Sequence, residues 1–182
     1  MTTYTSPQAG DKKVPNASGW AGQLQVAVGS IPNVGASVGT APVTTGPLVG
    51  DIYRMVKLPK GAVVVGGRVF GSRISSGTSF GSSTMAFNAG FSGIVKSLDG
   101  TSYGATTTSN ALGQISPSYA EVSGTIYDSG LDFRLGGLLY SVGPLVLQED
   151  QYAQLKVTVS AVSFVSAGAL SMEVDYYMGV HA

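Results

Sequence analysis

Apolar side chains in this chain recur at every second position, in short runs separated by Gly, Pro, Ser and Thr. A period of two is the spacing of a strand with one buried face. Between Gly22 and Ile31, Leu24, Val26 and Val28 alternate with Gln23, Gln25 and Ala27, which predicts a half-buried strand whose apolar side is the first trio. Ile52 to Leu58 predicts a second strand, with Arg54 and Lys57 free to face water, and Ala62 to Phe70 a valine-rich third. Pro59-Lys60-Gly61 lies between them: Pro presets φ and Gly61 tolerates φ > 0, so the unit reads as strand, tight turn, strand. Gly66-Gly67 predicts a bulge or a close backbone approach inside the third run. The cleanest alternation is C-terminal. Leu155, Val157 and Val159 oppose Lys156, Thr158 and Ser160; after Ser166-Ala167-Gly168, Leu170, Met172, Val174 and Tyr176 oppose Ser171, Glu173 and Asp175. Two alternating runs across a small-residue turn predict an antiparallel hairpin.

Weaker signals fill the middle. Thr84 to Phe91 carries strand formers, Asp99-Gly100 is a turn signal, and Tyr119 to Asp128 suggests a further strand. Residues 105–115 are the one place where a short helix fits, capped by Ser109 or Asn110. Prolines at 32, 42 and 47 exclude a helix or a central strand, so residues 32–50 read as an extended loop with Val38 and Val43 clipped to a sheet edge. Residues 72–83 also read as loop. Roughly seven to nine strands without helical periodicity predict one all-β domain, an antiparallel β-sandwich or jelly-roll-like fold, over residues 20–182. Residues 1–19, with Pro7, Gly10, Pro15 and Gly19 spaced through them, read as an extended, flexible N-terminal arm, either a frayed terminus or an arm that orders on a partner subunit.

Composition narrows the function. Only 11% of the residues are charged and the formal net charge is zero, while 43% are hydrophobic, so the chain should fold and its surface should be charge-poor. Nucleic acid and anionic membranes need clustered Lys and Arg, and neither is an expected partner. Low charge together with 26 glycines suits a protein covered by neighbours, and self-association as a dimer or trimer is expected. The chain has no cysteine, which excludes disulfides, thiolate zinc and a cysteine nucleophile. The first ten residues lack a signal-peptide pattern, and no apolar run reaches the roughly 18 residues of a membrane helix, so synthesis in a cytoplasm is expected.

Chemistry-bearing constellations are sparse. His181 is the only histidine, which leaves no His-based triad or multi-histidine metal site. Asp128 and Asp132 flank Gly130, and Glu149-Asp150 are adjacent, but turn chemistry accounts for these better than calcium or glycoside hydrolysis. Gly66-Gly67 and Gly136-Gly137 lack the Lys-Ser/Thr and helix of a phosphate loop. No catalytic, cofactor or metal site is expected, and the chain is not read as an enzyme. The densest basic stretch holds Arg54, Lys57, Lys60, Arg68 and Arg73, spread over two strands, which read as outward charges on a sheet face or as a patch that could meet an acidic surface. Trp20, at the junction of arm and domain, reads as a core plug or an interface anchor.

Asp51-Ile-Tyr-Arg-Met-Val-Lys-Leu-Pro-Lys-Gly-Ala-Val-Val64 resembles a segment of small head proteins of tailed bacteriophages, in which an aspartate opens a strand ending in Leu-Pro-x-Gly-Ala. The likeness continues through Phe87-Asn-Ala-Gly-Phe91, Gln154-Leu-Lys-Val-Thr-Val159 and Ser166 to Tyr177, so in pattern it covers about residues 50 to 177. Such proteins are similar to capsid cement or decoration proteins, many with jelly-roll-like folds, that bind the major capsid protein from outside the shell. The resemblance implies a head-stabilising virion protein on the capsid exterior, assembled in the host cytoplasm, whose partner is the phage major capsid protein. The expected contact residues are Tyr4, Trp20, Arg54, Lys57 and Lys60. A carbohydrate- or host-binding β-module of a phage tail or fibre is the alternative, because fold alone does not separate the two.

Overall fold

Inward-facing side chains from two sheets meet in one core that includes Tyr53, Met55, Phe91, Leu155, Met172, Val174 and Tyr176, each at most 2% exposed. The computed structural model describes residues 1, 3–6, 23–31, 49–72, 86–115, 133–134, 136–159 and 169–178. The elements in chain order are β1 (Thr3–Thr5), β2 (Gln25–Ile31), β3 (Ile52–Leu58), β4 (Ala62–Ser72), β5 (Ala86–Phe91), β6 (Val95–Ser97), β7 (Ser102–Tyr103), α1 (Ala105–Thr108), β8 (Gly113–Ile115), β9 (Phe133–Arg134), α2 (Leu138–Val142), β10 (Leu145–Leu147), β11 (Gln151–Val159) and β12 (Ala169–Met178). A five-stranded sheet runs β1-β3-β11-β5-β8, and a seven-stranded sheet runs β2-β12-β4-β10-β6-β7 with β9 also on β4. The expected all-β architecture is present, and among the described residues every pairing is antiparallel except β1 with β3.

Both predicted hairpins turn out to be passages between sheets. β3 pairs with β1 and β11, whereas β4 pairs with β12, β10 and β9, so Pro59-Lys60-Gly61 hands the chain from one sheet to the other. The turn is formed as expected: Ala62 N donates to Pro59 O at 3.2 Å and Gly61 sits at φ +80°. Gly61 N then donates to Leu147 O, and Lys60 N to Asp150 Oδ1 at 2.8 Å, tying the passage to the β10–β11 corner. β11 and β12 divide in the same way between the two sheets. An alternating strand followed by a turn fits either a hairpin or a passage across the core, because both bury the same face. The Asp99-Gly100 turn does close a hairpin, β6 with β7, with Gly100 at φ +90°. Asp99 accepts from Ser97 Oγ and from Thr101 N, and these hydrogen bonds, the Ser97 one foremost, hold its carboxyl below the usual range.

β2 corrects the first strand reading. Leu24, Val26 and Val28 are 59%, 55% and 44% exposed, while Ala27 and Ile31 are buried. The predicted face is inverted. Its partner strand decides: Met172 and Val174 on β12 point into the core, and the register Met172↔Gly29 and Val174↔Ala27 puts the small residues of β2 beside them. Gly29 lies against β3 so closely that a Cβ would fall 1.8 Å from Met55 O. Only glycine at that inward position permits the approach.

The bulge expected at Gly66-Gly67 is real: Asp175 pairs with Gly66 and Tyr176 with Val64, leaving Val65 extra on β4. The short helix occupies Ala105–Thr108, ahead of the expected caps Ser109 and Asn110, which form the following turn. α2 had no counterpart in the sequence reading. Of the residues 1–19 expected as an arm, Thr3–Thr5 form β1 on β3, and residues 7–19 lie outside the described residues. Of the expected loops at 32–50 and 72–83, residues 49–50 form a turn and Ser72 ends β4, while residues 32–48 and 73–83, and the strand expected at Tyr119–Asp128, lie outside the described residues.

Candidate assembly surfaces

β3 contains an irregularity that brings cationic side chains to one face of the five-stranded sheet. Against β11, Val56 pairs with Ala153 and Arg54 with Gln154, so Met55 is an extra residue. In an unbroken strand, positions 54 and 57 would face opposite sides, because side chains alternate. With Met55 and Val56 both buried, the bulge turns Arg54 and Lys57 to the same outward face. Lys57 lies opposite Tyr152 in the register. The Arg54 guanidinium sits 4.5 Å from the Tyr152 ring centroid and Lys57 Nζ 5.9 Å from it. A cation over an aromatic face contributes about 0.5–1 kcal/mol at an exposed site, which here offsets the mutual repulsion of two like charges. Lys156, two strand positions on from Gln154, extends the same face.

The charge of this sheet is one-sided. Its strands carry Arg54, Lys57 and Lys156 and no carboxylate. The strand carboxylates, Glu173 and Asp175, both lie on β12 of the other sheet. There Glu173 is answered locally by Arg68, whose guanidinium reaches Glu173 Oε2 at 3.1 Å. Beside them at the sheet edge stands the exposed apolar row of β2.

The expected contact residues scatter. Arg54 and Lys57 come together. Lys60 is exposed in the turn between sheets. Tyr4 is half-buried and stacks on Tyr53 at 4.9 Å, with Ser6 Oγ donating to Met55 O, so it packs against the core of its own chain. Trp20 lies outside the described residues. Sequence reasoning missed Tyr152 and Lys156. The alternation of β11 does place both on its polar side, but only the register with β3 brings them beside Arg54.

Beneath Tyr4, Tyr53 is fully buried, and its hydroxyl has no hydrogen-bond partner among the described residues. Burial, reinforced by the nearby Tyr4 and Asp51, pushes its phenol well above the ordinary tyrosine range. Tyr176 is raised by burial as well, and its hydroxyl donates to Gln25 Oε1 at 2.9 Å across the β2–β12 pair. Among the described residues no group of three or more His, Cys, Asp or Glu side chains could hold a metal ion, and no helix is long and apolar enough to cross a membrane.

The fold defines a class: a two-sheet, predominantly antiparallel β domain, similar in fold to a chain of a solved phage capsid. A chain in the capsid of Ralstonia phage GP4 is similar over 99% of this chain and 100% of its own length, with a TM-score of 0.63 and 16% identity. Looser likenesses are to chains in the capsid of cyanophage Pam1 (TM-score 0.46, 18% identity, 88% of each chain) and of Helicobacter pylori bacteriophage KHP30 (TM-score 0.47, 14% identity, 88% of this chain and 93% of that one). No protein-family model matches the sequence. No curated protein matches it either.

Proposed function

We propose that the chain is a structural, non-enzymatic virion protein that binds the outer surface of the major capsid protein lattice and stabilises the phage head, as a cement or decoration subunit. The observation that carries this reading is the end-to-end likeness to a chain of the GP4 capsid, whose whole length is matched. The low charge and the exposed apolar row Leu24, Val26 and Val28 at a sheet edge support a surface made to be covered, including by further copies as a dimer or trimer. Strand addition by the N-terminal region along exposed sheet edges would add contacts, and symmetry would multiply weak contacts through effective concentration.

Co-sedimentation with empty shells of the virus that encodes the chain tests the proposal. The chain should pellet with the shells at a fixed ratio to the major capsid protein. A chain that stays in the supernatant at every concentration sinks it.

A further inference from the structure

We propose that the outward face of the five-stranded sheet, centred on Arg54, Lys57, Tyr152 and Lys156, is a docking surface for an acidic protein surface. On the virion reading above, on which this rests, that partner is the capsid lattice.

Three observations point there. First, the β3 bulge exists at the cost of one unpaired position, and its effect is to put two cations on one face that regular pairing would separate. Second, the cations have no carboxylate partner among the described residues, although the chain carries as many acidic as basic residues. Arg54 Nε is enclosed without an acceptor among the described residues. On the other sheet, Arg68 is paired with Glu173 across the β4–β12 ladder. Third, the cations sit around Tyr152 on one sheet face, and Arg and Tyr are the residue types that concentrate binding energy when a partner excludes water. The complement is a protein face bearing carboxylates. Few cations on a chain of zero net charge suit short-range pairing with such a face better than the long-range field that a phosphate backbone calls for.

The test compares the full chain with the double variant Lys57→Glu/Lys156→Glu, and with Lys96→Glu on β6 of the other sheet as control. The neutral pair Lys57→Gln/Lys156→Gln replaces the double variant if charge reversal prevents folding, judged by circular dichroism. Binding is measured to empty shells, to poly-L-glutamate-coated beads and to duplex DNA. Wild type and Lys96→Glu should bind shells and poly-L-glutamate alike, weakening as salt rises, and the double variant should lose on the order of tenfold or more in both. A double variant that binds shells as wild type does overturns the face assignment and leaves the virion reading standing. Wild type that binds poly-L-glutamate through these lysines but never shells supports the face and removes the virion reading. Loss of DNA binding in the double variant with shell binding intact also overturns the proposal, in favour of a nucleic-acid face.

Discussion

Gly29 is where the two sheets come closest among the described glycines, and it should tolerate nothing larger. Alanine there would push a methyl to 1.8 Å from the Met55 carbonyl oxygen and 2.5 Å from its carbon, and backbone cannot swing aside as a side chain can. Gly29→Ala is expected to cost about 3 kcal/mol or to abolish folding. Gly100→Ala, at φ +90° in open space, should cost only about 1–2 kcal/mol of left-handed strain. Urea midpoints decide, and equal values for the two would mean that the sheets do not meet at Gly29. Tyr53 offers the opposite case. Its buried hydroxyl lacks a partner among the described residues, so Tyr53→Phe should be neutral or stabilising by up to about 1 kcal/mol. Its pH dependence follows from the raised phenol. Unfolded tyrosine ionises near pH 10, the folded one higher, so above pH 10 the unfolded state binds fewer protons and gains. The Tyr53 contribution is fully present below pH 10 and falls by about 1.4 kcal/mol per unit above it. Denaturation midpoints from pH 9 to 11 should therefore fall faster in wild type than in Tyr53→Phe, and parallel curves would refute the burial argument.

At the scale of elements, β2 shows that an apolar stripe is not always a buried one. Its outward row is half or more exposed at Leu24 and Val26, so Val26→Thr should change stability by less than about 0.5 kcal/mol. Val174→Thr, fully buried on the neighbouring strand, places a hydroxyl in the core and should cost about 1–3 kcal/mol. Thermal or urea unfolding of the purified variants reads the difference. If Val26→Thr proved as costly as Val174→Thr, Val26 would face inward and the register of β2 on β12 would be wrong. β1 makes a related point: three residues of strand pairing hold because Tyr4 covers Tyr53 and Ser6 is buried against β3, not because the sequence there reads as a strand.

For the whole molecule, charge is divided between faces: the described strands of one sheet are purely basic, and the strand carboxylates lie on the other. On the proposed reading, such a division of charge would orient the chain on an acidic lattice before contact is made. If it binds shells and not their dissociated subunits, mass action stabilises the shell, by about 2.7 kcal/mol at a hundredfold excess over the dissociation constant. The melting temperature of empty shells, followed by scanning calorimetry, should therefore rise with added chain and level off at full occupancy. A melting temperature indifferent to the chain would count against a head-stabilising role.

The linear order of residues was enough to place β3, β4, β5, β11 and β12, to set the turns at Gly61 and Gly100, and to orient β11 and β12, whose outward positions carry charge. Those features depend on neighbours two to four residues apart, and the period of two, the φ limits of Pro and Gly, and the cost of burying charge act at that range. Pairing partners were decided elsewhere. Whether a turn closes a hairpin or crosses the core, which side of β2 is buried, and that Arg54, Lys57 and Tyr152 share one face all depend on contacts between residues far apart in the chain. Gly29 fitting against Met55 and the one-residue bulge in β3 are matters of shape complementarity between strands, and no local pattern in either strand contains them.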